Sequence, residues 1–451
     1  MGCEKVIERP RSVCALGGQQ TVVGIKGAAP IVHAGPGCAA KIGEALTGQA
    51  GFQGPGPLGG PTIASTNLSE SEVVFGGEEK LRQTLEGALK VLKADIFVIL
   101  TGCVPDIVGD DSLALAADFR EAGHNVVAVE TGGFKGNGYY GHEEVLSALI
   151  KQILIPKAGR NKKARPRNKK IPLINVFSSI PYQNPFWRGD LRAIKELGAL
   201  LGIHVNLLFG PDSGGLAEWL TVPEADLNVV ISPWVGLSAA KLLNEAFGTP
   251  WLYWPVPPVG AMESSLFLTS LGHSLGLPQK RIRLATNWGE DRAHQYLEAI
   301  TEFLTESRNG LPQTFHVVAD SAYALGLSKF LVNEMGFTQG LTFLTDDPPE
   351  HLRAQIAKPF GEFDGPAISP IFESDGGFMD RELDLALKQD NEAVMLASSW
   401  EKSLAKEHGA YLVAVSLPIW DRLVINRHYL GYEGGLNLLE DLYQSVLAKV
   451  H

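Results

Sequence analysis

The stretch Asp95-Ile96-Phe97-Val98-Ile99-Leu100-Thr101-Gly102-Cys103 decides the fold. Residues 96–100 are an unbroken apolar run, too short for a helix and without the alternation of a strand that has one wet face. Such a run belongs in a sheet buried on both sides. It follows Glu78 to Lys93, where Leu81, Leu85, Leu89 and Leu92 recur at helical spacing, and it ends three residues before a cysteine. Open parallel sheets gather their ligands outside the carboxyl ends of strands, so Cys103 is well placed for chemistry.

The same strand-and-helix unit recurs along the chain. A helix from about Ser112 to Ala122 leads to the strand Asn125–Val129, a glycine-rich turn and a helix from about His142. A second set begins at Leu173–Phe177, with a helix Asp190–Leu201, strands at His204–Leu208 and Leu227–Ile231, and a helix from about Ser238 to Phe247. A third begins at Phe315–Ala319. It continues with helix Ala322–Met335, strands Gly340–Leu344 and Ala393–Leu396, helix Trp400–His408, strand Tyr411–Val415 and a last helix near Gly435–Lys449. The reading is α/β: three doubly wound, Rossmann-like domains with mainly parallel sheets around a shared cleft. Their expected bounds are residues 1–156, 171–310 and 311–451. Residues 157–170 carry eight Lys or Arg without apolar periodicity and read as a solvated basic linker. The loop Gly51–Gly60 is too rich in Gly and Pro for regular structure.

With 451 residues and a formal charge of −11, the chain is long enough for several cores and too acidic for nucleic acid as a main partner. No run of 18 apolar residues occurs and no apolar segment follows Met1-Gly2-Cys3-Glu4-Lys5, so neither a membrane span nor export is expected and a cytoplasmic location is. Its four cysteines all lie in the first 103 residues, too sparse for a disulfide scaffold. Spacings of 24 (Cys14 to Cys38) and 65 (Cys38 to Cys103) match neither zinc-finger nor bacterial ferredoxin patterns.

Cys38 closes Pro30-Ile31-Val32-His33-Ala34-Gly35-Pro36-Gly37-Cys38 and opens the helix-like Ala39–Leu46. A Gly-Pro-Gly turn admits a bulky neighbour, and a helix N-terminus favours the thiolate, the form that ligates metal. Three unrelated buried thiols are the plain alternative. If the three converge they form an incomplete cluster ligand set, and the missing ligands come from another chain. His33 is a proton-handling group near such a cluster or a hydrogen-bonded structural histidine. Phe75 reads by default as a core aromatic. Gly136-Asn137-Gly138-Tyr139-Tyr140-Gly141 matches a dinucleotide fingerprint in letter, but basic residues stand where an acidic one should hold the ribose, and an ordinary strand-to-helix turn is the favoured reading. His142-Glu143 lacks the second histidine of a zinc site, position 146 being Leu.

Taken together, Cys14, His33-Ala34-Gly35-Pro36-Gly37-Cys38, Val74-Phe75-Gly76-Gly77, Thr101-Gly102-Cys103, Ile107-Val108-Gly109-Asp110-Asp111, Pro418-Ile419-Trp420-Asp421-Arg422 and Gly431-Tyr432-Glu433-Gly434-Gly435 resemble the catalytic component of nitrogenase and nitrogenase-like reductases, nearly end to end. The resemblance implies the nitrogenase component 1 type of fold. It implies an [8Fe-7S] P-cluster shared with a homologous alpha-like subunit, with Cys14, Cys38 and Cys103 as this chain's ligands; a shared [4Fe-4S] cluster is the alternative. His33, Gly37 and Gly133 are expected beside those ligands. Phe75 is expected at the docking site of an ATP-dependent, homodimeric iron protein with a [4Fe-4S] cluster, and the assembly is expected to be an α2β2 heterotetramer.

In that family the iron–sulfur metallocofactor is held in the alpha-like subunit by a cysteine of the middle domain and a histidine of the last. No cysteine follows Cys103 here. The resemblance is therefore to the beta-like, electron-relaying subunit, with no catalytic residue of its own. Where the dinitrogen-reducing beta subunit has a serine that ligates the oxidised P-cluster, Thr131-Gly132-Gly133-Phe134 offers Gly133, and the long N-terminal extension of the molybdenum enzyme is missing. Both favour a nitrogenase-like reductase that cleaves C–S bonds of small methylthio compounds, a methylthio-alkane reductase. The alternatives are an alternative nitrogenase that reduces dinitrogen and a cofactor-assembly scaffold.

Overall fold

The computed structural model describes residues 7–53, 63–158, 171–307, 311–390 and 392–450. Its strands are β1 Ala28–His33, β2 Ala64–Ser65, β3 Ile96–Thr101, β4 Val126–Val129, β5 Leu173–Phe177, β6 His204–Asn206, β7 Leu227–Ile231, β8 Trp251–Trp254, β9 Thr314–Ala319, β10 Thr338–Leu344, β11 Ile371–Phe372, β12 Val394–Ala397 and β13 Tyr411–Ala414. They form three sheets, in the orders β2-β1-β3-β4, β6-β5-β7-β8 and β11-β10-β9-β12-β13. Every pairing within them is parallel. The continuous apolar runs become β3, β5, β7 and β12 because helices cover both faces, leaving every residue of these strands buried.

The helices follow their patterns with shifted ends. Helix Glu78–Val91 buries Leu81, Leu85 and Ala88, with Glu78 and Glu79 at its positive end and Lys90 in its last turn. The helix expected from His142 starts at Gly138, because Asn137 caps it by accepting from the amides of Tyr139 and Tyr140. The helix expected from Asp190 starts at Trp187. The helix expected through Met335 passes after Lys329 into a π-helical turn, Phe330–Glu334. The basic linker from residue 159 onward and residues 54–60 of the Gly/Pro loop lie outside the described residues. Among the described residues no helix is long and apolar enough to cross a membrane.

The cleft expected between the three sheets narrows at the strand ends of the second and third. Ser178 and Ser179 after β5, Ser232 after β7, Asp320 after β9 and Asp346 after β10 meet Tyr139 around a cavity of about 30 Å³, room for a water or two. Asp346 accepts from Trp234 Nε1 at 2.6 Å, Ser321 N at 3.1 Å and the Ser321 hydroxyl. Asp190 accepts from Tyr323 Oη at 2.5 Å, Ser179 Oγ at 3.1 Å and Tyr429 N at 3.2 Å. Burial, seconded by the charge of Asp346, raises the Asp320 carboxyl to about 7 against the pull of the Tyr323 and Ala322 amides.

The N-terminal segment is stapled at both ends. Toward the third sheet, Gly376 N donates to the Glu8 carbonyl at 2.7 Å, and Arg11, buried, pairs with Glu401 and donates to Ser398 Oγ at 2.9 Å. Toward the first, Gly138 N donates to the Val13 carbonyl at 2.7 Å and Ala15 N to the Gly136 carbonyl at 2.9 Å. Backbone meets backbone here: a Cβ at Gly141 would overlap the Ala15 carbonyl, and one at Gly18 would stand 2.8 Å from the Gly141 carbonyl oxygen. The glycines of the apparent nucleotide motif thus serve close packing, and His142 behind them is buried, paired with Thr21 Oγ1 at 2.8 Å and pushed down to about 3 by desolvation.

Gly141→Ala is expected to destabilise the chain by ~2 kcal/mol through this overlap. Gly87→Ala, inside helix Glu78–Val91 with open space at the Cβ, is expected to stabilise by about 0.5–1 kcal/mol; denaturant midpoints read both. Because folding raises the Asp320 pKa, its contribution is complete below about pH 4 and is lost as pH rises through about 7. Asp320→Asn should therefore leave the midpoint near its native value at pH 4 and raise stability at pH 8 by on the order of 2 kcal/mol.

Candidate metal centre

The first sheet sends three strand ends to one place. After β1 the chain turns at Gly35 into helix Pro36–Gly48, with Pro36 in its first turn and Cys38 just behind it. After β3, Gly102 leads into helix Cys103–Val108, whose first residue is the cysteine. After β4 comes the turn that holds Gly133. Cys14 arrives beside them on the stapled N-terminal segment, bridged to Asn137.

All three cysteines are unpaired and exposed, and they surround common ground. Gly133 N donates to Cys103 Sγ at 3.1 Å. A carbon atom added at Gly133 would lie 3.2 Å from Cys103 Sγ and 3.7 Å from Cys14 Sγ, so both sulfurs flank one point. The Cys38 thiol feels the other two. Although the residue is exposed, partial desolvation of its sulfur and the neighbouring Cys14 and Cys103 thiols raise its pKa, with Lys41 opposing. The direction is opposite to the helix-favoured thiolate expected for Cys38, with desolvation the larger cause and the two neighbouring thiols the smaller.

Cys14, Gly35, Gly37, Cys38 and Lys41 line an open cavity of about 710 Å³. A Cβ at Gly37 would point into open space, so nothing within the chain requires glycine there. Among the described residues no three His, Cys, Asp or Glu side chains close on a single ion. An open arc of soft sulfur donors suits a polynuclear iron–sulfur group better than a lone cation, and three thiols leave part of its ligand set to be supplied from elsewhere.

Beside this arc stands an apolar face. Helix Glu70–Phe75 buries none of its residues and is fixed by a capping box between Ser69 and Glu72. It exposes Val74 at 69% and Phe75 at 87%, which overturns the core reading of Phe75. It touches helix Cys103–Val108, where Ile107 is 73% exposed. His33 lies beneath, fully buried, with Nδ1 3.2 Å from Thr66 Oγ1 and Nε2 3.0 Å from Asp110 Oδ2, so its ring nitrogens pair with these two groups. Asp110 in turn accepts from Gly77 N, 3.0 Å from either carboxylate oxygen. Desolvation lowers the His33 pKa, opposed by Asp110. The histidine thus braces the Phe75 helix. Asp106 accepts from Gly132 N and pairs with Lys135, tying the Gly133 turn to helix Cys103–Val108; the sequence signals this only by an acidic residue one helical turn beyond a cysteine.

The model of the family "Nitrogenase component 1 type Oxidoreductase" matches residues 14–447. The nitrogenase molybdenum-iron protein beta chain of Methanococcus maripaludis is 24% identical, covering 97% of this chain and 93% of that one. The beta chain of Azotobacter vinelandii is 23% identical over 97% of this chain and 82% of its own length. The alpha chain of Methanothermobacter marburgensis is 25% identical over 85% and 74%. A solved structure described as "Nitrogenase Cp1 at pH 6.5" superposes with a TM-score of 0.78 at 18% identity, covering 100% of this chain and 95% of that one, and so shares the fold. Matched from Cys14 almost to its end, the chain belongs to the nitrogenase component 1 type oxidoreductases, as a beta-like subunit.

Proposed function

We propose that this chain relays electrons in a nitrogenase-like reductase, as half of an αβ pair in an α2β2 heterotetramer in the cytoplasm. The observation that carries the reading is the convergence of Cys14 and Cys103 on Gly133, with Cys38 lining the same open cavity as Cys14. Three thiols at an open face are half of a ligand set, and the alpha-like subunit supplies the rest. The group they fit is an [8Fe-7S] P-cluster, which when bound supplies low-potential electron storage at the subunit interface. The lack of a cysteine after Cys103 and the small cavity of about 30 Å³ among the second and third sheets support placing the substrate-reducing metallocofactor on the partner.

The chain's own residues do three things in this scheme. Cys14, Cys38 and Cys103 hold one side of the cluster. Phe75, with Val74 and Ile107, offers an apolar docking face to an ATP-dependent iron protein, on a helix that touches the one bearing Cys103. His33 and Asp110 keep that face in register with the strand ends.

For the substrate, we favour reductive C–S cleavage of small methylthio compounds, since Gly133 offers the two thiols beside it no hydroxyl. Dinitrogen reduction is the second reading, favoured by relatives named as molybdenum-iron protein beta chains.

In the purified complex, Cys38→Ala and Cys103→Ala should each lose most of the bound iron and nearly all turnover; full iron content in either variant would refute the ligand assignment. Supplied with the iron protein, ATP and a methylthio substrate, the native complex should release methanethiol or a hydrocarbon. Ammonia from dinitrogen instead would establish the second reading. Transfer of cofactor to another protein without turnover would mark a scaffold.

A further inference from the structure

The turn after β4 is tied on both sides. Thr131 N donates to Thr101 Oγ1 at 3.1 Å, and Thr131 Oγ1 donates to the Thr101 carbonyl at 2.8 Å. Gly132 N donates to Asp106 Oδ2 at 3.0 Å. Lys135 Nζ lies 2.9 Å from that same oxygen and 2.6 Å from Glu130 Oε2, and Lys135 N closes the turn on the Gly132 carbonyl at 2.9 Å. Held between these ties, the next amide, that of Gly133, meets Cys103 Sγ at 3.1 Å.

The register is specific. Cys103 and Asp106 are three residues apart on helix Cys103–Val108 and therefore share a face. Two successive amides of the turn engage those two side chains in order, Gly132 the carboxylate and Gly133 the sulfur. The Asp106 side chain is only 4% exposed, so its bonds to the turn face little competition from water. A Cβ at Gly132 would stand 2.7 Å from Asp106 Oδ2, so the fit also excludes a side chain there.

An amide hydrogen bond to a ligating sulfur draws electron density away from the metal, stabilises the reduced state and raises the reduction potential. We propose that Asp106 and Lys135 are positioning residues that hold the Gly133 amide on Cys103 and so raise the potential of the cluster bound there. The proposal rests on the cluster reading given above. Asp106 makes the test sharp because its two influences have opposite sign. Its negative charge alone lowers the potential of a nearby cluster, whereas its grip on the turn raises it.

The experiment is a redox titration followed by electron paramagnetic resonance on the purified complex with its alpha-like partner, with iron measured in every sample. Asp106→Ala should keep its iron and titrate at a lower midpoint than the native complex. Asp106→Asn, which keeps an acceptor for Gly132 but not the charge, should titrate at or above the native value. A rise or no change in Asp106→Ala overturns the proposal, as does an equal fall in both variants. Should Asp106→Ala prove iron-poor, Asp106→Glu carries the test, because it keeps the charge while displacing the acceptor from Gly132 N: a lower midpoint supports the brace, and an unchanged midpoint overturns it. Absence of iron from the native complex would instead refute the cluster reading itself, and the proposal with it.

Discussion

The half-site depends on a contact between two stretches of bare backbone. Residues 13–18 lie against the start of helix Gly138–Leu149 so closely that side chains at Gly141 and Gly18 would strike main-chain oxygen atoms. Without that approach Cys14 would not reach the Gly133 turn, and the chain would offer two thiols from strand ends instead of an arc of three. The contact is dense and directional, and hydrogen bonds from Ala15 N and Gly138 N fix its register.

The carboxyl ends of the three sheets have separate uses. In the first they open to the surface and carry soft donors. In the second and third they face inward, where Asp190, Asp320, Asp346, Tyr323 and Trp234 bond one another and leave about 30 Å³. One architecture therefore yields a reactive edge and a locked centre. Serines, carboxylates and aromatics at the strand ends make the difference, with no change in strand order needed.

Much of the fold was readable because parallel strands buried on both faces leave continuous apolar runs, as at Ile96–Leu100 and Leu227–Ile231. β1 is masked in the sequence because Pro30 and His33 interrupt its apolar run. The structure accommodates Pro30 because β2 begins only opposite Ile31, so the missing N–H falls beyond the end of that neighbour. The start of helix Gly138–Leu149 is masked because its glycines look like loop, while the cap that begins it is Asn137. For the site, the three thiols and Phe75 are legible from motifs along the chain, though not the helix Glu70–Phe75 that exposes the aromatic. The brace of Gly132 and Gly133 on Asp106 and Cys103 is not, since it joins residues about thirty positions apart across two strand ends.

The stapling of the N-terminal segment has a consequence for the order of assembly. Cys14 is held on one side by contacts with residues 376–401 and on the other by contacts with residues 136–141, so its placement awaits folding at both ends of the sequence. Contacts of such long sequence separation carry the largest loop-closure entropy and form late. A chain with a misfolded third sheet would present Cys38 and Cys103 in place but carry Cys14 on a segment anchored at residues 136–141 alone. On the proposed cluster reading, iron loading becomes an inspection step, in which the metal centre is completed only on a subunit whose whole length has reached the native state.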